Sequence, residues 1–234
     1  MSMHAFLMAG QSNMAGRGII GEVPEIAPVG RMYMLRNGRW QPMSEPINPD
    51  RQIFVDSPNK LRSGVSLAAS FAEAWTRQYE GCIGLIPCAD GGSSIDEWMP
   101  GGVLFDNAVF TTRLALRSSA LDGILWHQGE SDSKTEEAAR THSAKLEYVA
   151  NELRSAIGCA KIPFIMGELA YDMPRWPFTQ LVNEGMHALC QRRSDFVLAS
   201  AQGYEIGPDG MHFTAKFYRE FGCRYFEQYE GTQK

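Results

Sequence analysis

Residues 5–14 have the sequence Ala-Phe-Leu-Met-Ala-Gly-Gln-Ser-Asn-Met, in which five apolar residues come directly before a short polar segment. A short run that is apolar throughout is typical of a strand buried on both faces of a parallel sheet. A polar segment after such a strand lies at the carboxyl end of the sheet, where open α/β proteins bind their ligands. This stretch therefore predicts both a fold class and the position of a functional site.

Four further apolar runs repeat the pattern, and segments with helical spacing lie between them. The five predicted strands are residues 5–9, 83–88, 123–126, 163–167 and 196–199. Apolar residues three or four positions apart predict helices near 68–79, 135–157, 182–189 and 214–229. The alternation predicts an α/β protein with a central, mainly parallel, five-stranded sheet covered by helices. His142 lies in the apolar stripe of the second helix, so we expect it to be packed in the core.

Residues 16–63 interrupt this alternation with a segment rich in glycine and proline. The dipeptide Asn37-Gly38 within it predicts a β-hairpin. So long an irregular insertion is usually functional, and we expect it to form a wall of the binding cleft. The whole chain of 234 residues has the length of one α/β domain, so we expect a single domain over 1–234.

Composition excludes several classes of partner. The net charge is −5 and no basic stripe is present, which argues against a nucleic-acid partner. Five widely spaced cysteines predict neither a disulfide framework nor a metal site. The start of the chain lacks a basic, apolar leader, and no run of apolar residues is long enough to span a membrane. We therefore expect a cytoplasmic protein if Met1 is the native start, and a secreted one if a signal peptide has been removed.

Polar residues with catalytic potential lie in four short segments, namely 10–14, 90–94, 127–132 and 209–214. A serine hydroxyl such as that of Ser12 becomes a good nucleophile when an imidazole takes its proton. Asp209, three positions before His212, is close enough to fix the tautomer of that imidazole. Ser12 could instead cap a helix, and Asp209 could do the same. The combination of the three residue types favours a catalytic triad.

An acyl-transfer reaction also needs hydrogen-bond donors for the negative oxygen of its intermediate. The backbone N–H groups of Gly91 and Gly92 and the side-chain amide of Gln128 are candidates, although an ordinary turn and a structural hydrogen bond are the alternatives. A zinc site built from Asp209, His212 and Glu130 lacks the usual ligand spacing. We therefore expect no metal and no cofactor.

The four segments together resemble a known family. Residues 6–16, 91–98, 126–132 and 209–213 are similar, in this order, to the four sequence blocks of the sialate O-acetylesterase and acetylxylan esterase group, the sixth carbohydrate-esterase family within the SGNH hydrolases. The resemblance implies a three-layer, flavodoxin-like fold and metal-free removal of acetyl groups from sugar hydroxyls. SGNH hydrolases at large have an oxyanion asparagine in the third block, where this chain has Gln128.

The resemblance also implies roles for individual residues. It makes Ser12 the nucleophile and His212 and Asp209 the acid–base pair. It assigns the oxyanion hole to the N–H of Ser12, to Gly91 or Gly92 and to Gln128. Gln11, Asn13 and Glu130 are expected to support the site, with Glu130 bracing the third loop, residues 127–132, through hydrogen bonds.

The leading hypothesis is thus a serine esterase that removes O-acetyl groups from acetylated xylan or a sialic-acid-like sugar. One alternative is an esterase or lipase of different acyl specificity, which a long apolar pocket would favour. Another is a catalytically silent carbohydrate-binding module. Trp40 and Trp98 could stack on a sugar or pack in the core, and Glu168 could face the cleft. Specificity is expected to depend on residues 16–63 and on the loop 171–177, which contains Trp176.

Overall fold

The computed structural model describes residues 2–49 and 62–234. Within these residues the strands are β1 (Met3–Gly10), β2 (Met32–Arg36), β3 (Arg39–Pro42), β4 (Cys82–Pro87), β5 (Ala120–His127), β6 (Phe164–Gly167) and β7 (Phe196–Ala199). The α-helices are α1 (Ser12–Ala15), α2 (Leu67–Gln78), α3 (Val103–Ala115), α4 (Glu136–Ile157), α5 (Thr179–Arg192) and α6 (Ala215–Gly231). None of the helices in this part of the chain is both long and apolar enough to cross a bilayer.

The strands form one sheet in the order β3-β2-β4-β1-β5-β6-β7. All neighbours are parallel except β2 and β3, which are antiparallel. The predicted α/β class and mainly parallel sheet are confirmed, but the predicted count of five strands is wrong. The additional two strands are the arms of the predicted Asn37-Gly38 hairpin. A hairpin signal is local, so it gave no indication that β2 would also pair with β4.

Helices cover both faces of the sheet, so the predicted three layers are confirmed. Phe6 and Met8 of β1 pack in one core cluster with α2 and α6, whereas Leu7 and Ala9 pack in the opposite cluster with α3, α4 and α5. This alternation follows from the period of two along a strand. Helix α3 was not predicted, because exposed apolar residues such as Phe110 obscure its helical pattern.

Threonine side chains cap the N-termini of α4 and α6. The hydroxyl of Thr135 accepts a hydrogen bond from the N–H of Ala138 at the start of α4, and that of Thr214 accepts one from Phe217 at the start of α6. Such caps satisfy donors that the first helical turn leaves unpaired. The cap at Thr214 fixes the point at which the preceding loop, residues 205–213, meets α6.

The carboxyl end of β1 lies between those of β4 and β5. Gly10 has a φ of 123°, and a Cβ atom there would lie 2.2 Å from the carbonyl oxygen of His127. Glycine therefore allows the two strands to approach closely at this point. The N–H of Gln11 donates to the same carbonyl at 2.8 Å. These contacts fix the turn that carries Ser12 against the end of β5.

His142 on α4 is fully buried, as the apolar stripe predicted. Its Nε2 lies 3.0 Å from Oε1 of Gln128, whereas its Nδ1 has no hydrogen-bond partner in the described part of the chain. Burial lowers the pKa of His142 to about 4. The imidazole is therefore neutral in the folded protein at neutral pH.

We expect His142 to make the protein less stable in mild acid. The unfolded chain takes up a proton at an ordinary histidine pKa near 6.5, whereas the folded chain does so only near 4. The free energy of unfolding should therefore fall as the pH is lowered from about 6.5 to 4, with roughly 3 kcal/mol from this residue.

Urea unfolding of the wild type and of His142→Gln between pH 4 and 7.5 measures this contribution. The difference in unfolding free energy, wild type minus variant, should decrease as the pH falls. A difference that stays constant over the whole range would contradict the assignment.

Candidate active site

The side chains of Ser12, His212 and Asp209 form a continuous hydrogen-bonded chain. Nε2 of His212 lies 2.9 Å from Oγ of Ser12, and Nδ1 lies 2.7 Å from Oδ2 of Asp209. Ser12 and His212 are buried, with exposed fractions of 8% and 5%. The fold thus brings together residues that are 200 positions apart in the sequence. The geometry allows the imidazole to take a proton from the serine while the aspartate holds its other nitrogen.

The surroundings of Asp209 favour its charged form. Partial burial alone would raise the pKa of this carboxyl, but hydrogen bonds from the His212 ring and from the backbone of His212 and Met211 lower it below its usual value. Both backbone N–H groups donate to Oδ1 at 2.9 Å, which leaves Oδ2 for the imidazole. Asp209 is therefore ionised at neutral pH and orients the His212 ring.

Asn13 joins the loops that carry the serine and the histidine. Its Oδ1 accepts hydrogen bonds from the hydroxyl of Tyr218 at 2.6 Å and from the N–H of Phe213 at 3.4 Å. Its Nδ2 donates to Oε1 of Glu130 at 2.5 Å. Asn13 directly follows Ser12. Its three partners lie on α6, in the loop before α6 and in the third loop. Asn13 is therefore placed to fix the distance between Ser12 and His212.

Glu130 is a buried carboxylate behind this contact. Burial alone would raise its pKa. His127, whose Nε2 lies 3.3 Å from Oε1, and the hydrogen bond from Asn13 lower the pKa by more, so it lies below its usual value. Its Oε2 atom is buried and has no hydrogen-bond partner among the described residues. Glu130 thus braces the residue next to the serine as well as its own loop.

Backbone donors surround the serine. The N–H of Ser12 is at the first position of α1 and makes no hydrogen bond with the described residues, and neither does the N–H of Gly92. Gly91 lies against the serine, because a Cβ atom there would be 3.8 Å from Cβ of Ser12 and 2.7 Å from Nη2 of Arg17. A larger residue at 91 would collide with the guanidinium of Arg17.

Gln128, which the sequence predicted as an oxyanion donor, does not reach the cavity at Ser12. The side chain is completely buried and does not line the cavity at Ser12. Its amide nitrogen lies 2.5 Å from Oδ2 of Asp132, 3.1 Å from the carbonyl oxygen of Ser93 and 3.4 Å from Oε1 of Gln11, so three protein acceptors share its two hydrogens. Its oxygen accepts from His142. The structural hydrogen bond that the sequence left open as an alternative is the one observed.

A cavity of about 370 Å³ opens in front of Ser12 and His212. Most of the residues that line it carry polar side chains, and Trp176 and Met211 contribute the large apolar side chains. Two cations at the cavity, Arg17 and Lys134, were not singled out from the sequence. Each follows one of the polar motifs by a few residues, so the only available signal was their proximity in sequence.

Three side chains that could have faced this cavity do not line it. Trp98 is fully buried and donates to Oγ of Ser93, Trp40 packs against Gly84 of β4, and Glu168 accepts hydrogen bonds from residues of neighbouring loops. Trp176, from the loop expected to determine specificity, is the tryptophan at the cavity. Within the expected insertion Arg17 lines the cavity, and residues 50–61 lie outside the described part of the chain.

Comparison with known proteins identifies the family of this chain. The sequence matches the family described as carbohydrate esterase, sialic acid-specific acetylesterase, over residues 2–231. A probable carbohydrate esterase from Arabidopsis thaliana is 28% identical over 242 residues, which cover 96% of this chain and 89% of that protein.

Solved structures show the same fold. The crystal structure of an Arabidopsis thaliana protein superposes with a TM-score of 0.85 at 26% identity, covering 97% of this chain and 98% of that one. The crystal structure of NanS superposes with a TM-score of 0.73 at 17% identity, covering 98% and 97% of the two chains.

The family match extends over almost the whole chain and confirms the resemblance that the four sequence blocks indicated. It also confirms the expectation of an enzyme. The chain belongs to the carbohydrate esterase family of sialic acid-specific acetylesterases and is a carboxylic ester hydrolase.

Proposed function

We propose that this protein removes O-acetyl groups from a carbohydrate, with Ser12 as nucleophile, His212 as acid–base and Asp209 as the residue that orients His212. The observation that carries the proposal is the contact of 2.9 Å between Nε2 of His212 and Oγ of Ser12, at the floor of a cavity. An imidazole in this position can take the proton of the hydroxyl and so activate it as a nucleophile.

The reaction has two steps. His212 takes the proton of Ser12 as Oγ attacks the acetyl carbonyl, and it returns that proton to the sugar oxygen as the ester bond breaks. A water molecule, activated by His212 in the same way, then releases acetate from Ser12. The ionised Asp209 stabilises the imidazolium in both steps. The N–H groups of Ser12 and of the Gly91–Gly92 turn donate to the negative oxygen of each tetrahedral intermediate.

The lining of the cavity favours a short acyl group on a polar substrate. A lipase would need a long apolar channel for its acyl chain, whereas most residues here are polar. Trp176 offers an aromatic face on which a sugar ring can stack. Arg17 and Lys134 add positive charge, which favours a sugar bearing a carboxylate over a neutral xylan chain.

Replacing Ser12 with alanine should abolish hydrolysis of 4-nitrophenyl acetate. Loss of the nucleophile lowers kcat by about 10³-fold or more in enzymes of this type. The fold should persist, because the substitution removes one oxygen from the cavity wall. Thermal unfolding checks the fold, and full activity in a folded Ser12→Ala protein would refute the mechanism.

A fluorophosphonate probe distinguishes the enzyme from a silent binding module. The probe should label the wild type and Ser131→Ala, whose substituted residue also lines the cavity, but not Ser12→Ala. Equal labelling of all three proteins would show that Ser12 is not the reactive serine. Acetyl, butyryl and octanoyl esters test the acyl specificity, and a preference for octanoyl would favour the lipase alternative.

Asp209→Asn should retain the loop geometry but lose the charge that fixes the His212 tautomer. An asparagine oxygen can still accept from the backbone of Met211 and His212, whereas the amide cannot stabilise the imidazolium. We expect kcat to fall by about 10³- to 10⁴-fold with little change in KM. A reduction of less than tenfold would show that His212 works without this carboxylate.

Lys134→Ala should discriminate between the two sugar classes. The ammonium group of Lys134 makes no ion pair with a described side chain, so it is available to an anionic substrate. At an exposed position, KM for acetylated sialic acid should rise about two- to fivefold. KM for acetylated xylan should stay unchanged. Lys161→Ala, an exposed lysine just before β6 at the opposite edge of the sheet, is the matched control.

A further inference from the structure

The oxyanion hole lacks a side-chain donor once Gln128 is excluded. Backbone N–H groups at Ser12 and in the Gly91–Gly92 turn remain. A second glutamine, Gln11, directly precedes the nucleophile and lines the cavity with an exposed fraction of 4%. The sequence predicted only a supporting role for it.

The surroundings of Gln11 fix the orientation of its amide group. Three N–H donors converge on its oxygen, each at 3.4 Å: the side chain of Gln128 and the backbone of Gly129 and Ser131. A reversed amide would point its own hydrogens at these donors, which is unfavourable. The oxygen therefore faces the third loop, and the nitrogen lies on the other side of the group.

The nitrogen of Gln11 has no acceptor among the described residues. This nitrogen is therefore reached by solvent, since it is absent from the buried atoms that lack a partner. Because the residue lines the cavity and its oxygen is enclosed, the free N–H is the polar group that Gln11 presents to the space in front of Ser12. A donor that has no protein acceptor and faces the cavity is available to an acceptor atom of the substrate.

We propose that the side-chain N–H of Gln11 is the third donor of the oxyanion hole and that Gln128 acts through it as a positioning residue. The proposal rests on the proposed function, because it needs an acyl intermediate on Ser12. The side-chain N–H groups of Gln128 donate to the oxygen of Gln11 and to the carbonyl of Ser93, so Gln128 orients the segments 10–14 and 90–94 toward the same point. Gln11 then donates to the carbonyl oxygen as charge develops on it.

Gln11→Glu separates the donor from its structural contacts. The carboxylate keeps an oxygen that accepts from Gln128, Gly129 and Ser131, but it replaces the donating nitrogen with an acceptor. We expect kcat on 4-nitrophenyl acetate to fall by about 10²- to 10³-fold, the usual effect of losing one such donor. KM and the thermal unfolding temperature should change little. The ratio of variant to wild-type kcat should rise as the pH is lowered, because a protonated carboxyl can donate again.

Gln11→Met removes the donor without adding charge and covers the case in which the glutamate variant is unstable. A boronic acid that forms a tetrahedral adduct with Ser12 should bind this variant more weakly by about the factor lost in kcat. Retention of kcat and of boronic acid affinity within threefold in either folded variant would overturn the role of Gln11. Failure of the proposed function would look different, because the wild type itself would then be inactive or Ser12→Ala would remain active.

Discussion

The hydrogen bond between Ser12 and His212 depends on the order of the strands. β1 lies between β4 and β5, so the loops that follow these three strands meet at one edge of the sheet. α6 packs on α2 across the face of the sheet, which brings the loop before α6 to the same edge. No local sequence feature could produce this contact alone. It results from the crossover connections that make the sheet parallel.

A group of buried polar residues lies in the cavity wall and behind it, namely Asn13, His127, Gln128, Glu130, Asp132 and His142. Their hydrogen bonds run mainly between loops, so each bond fixes the position of one loop relative to another. Removing one partner would leave a buried polar atom unsatisfied, at a cost of about 1–3 kcal/mol. This group converts three irregular segments into a rigid support, and rigidity is what donors to a developing charge require.

Much of the fold was predictable because strands buried on both faces are apolar throughout. β1, β4, β5, β6 and β7 were all predicted to within a few residues, and so were α2, α4, α5 and α6. The two additional strands escaped because pairing of β2 with β4 is a long-range contact. The candidate site was predictable as a set of loops, since chemistry-bearing residues follow the strand ends.

The direction in which each side chain points was less predictable. Gln11 and Gln128 are the same residue type in equivalent segments, yet one lines the cavity and the other is sealed beneath it. The difference arises from which acceptors surround each amide, and this depends on residues such as Asp132 and Ser93 in other parts of the chain. Arg17 and Lys134 reach the cavity for a similar reason, through the path of the backbone after each motif.

The separation of Ser12 from His212 has a practical consequence for experiments on folding. Under the proposed mechanism, ester hydrolysis needs β1 inserted between β4 and β5 and α6 packed on α2 at the same time. A partly assembled molecule, with either element out of place, holds a serine without its base. The rate of acetate release is therefore proportional to the concentration of natively folded protein. For variants far from the cavity, it can serve as a measure of global folding.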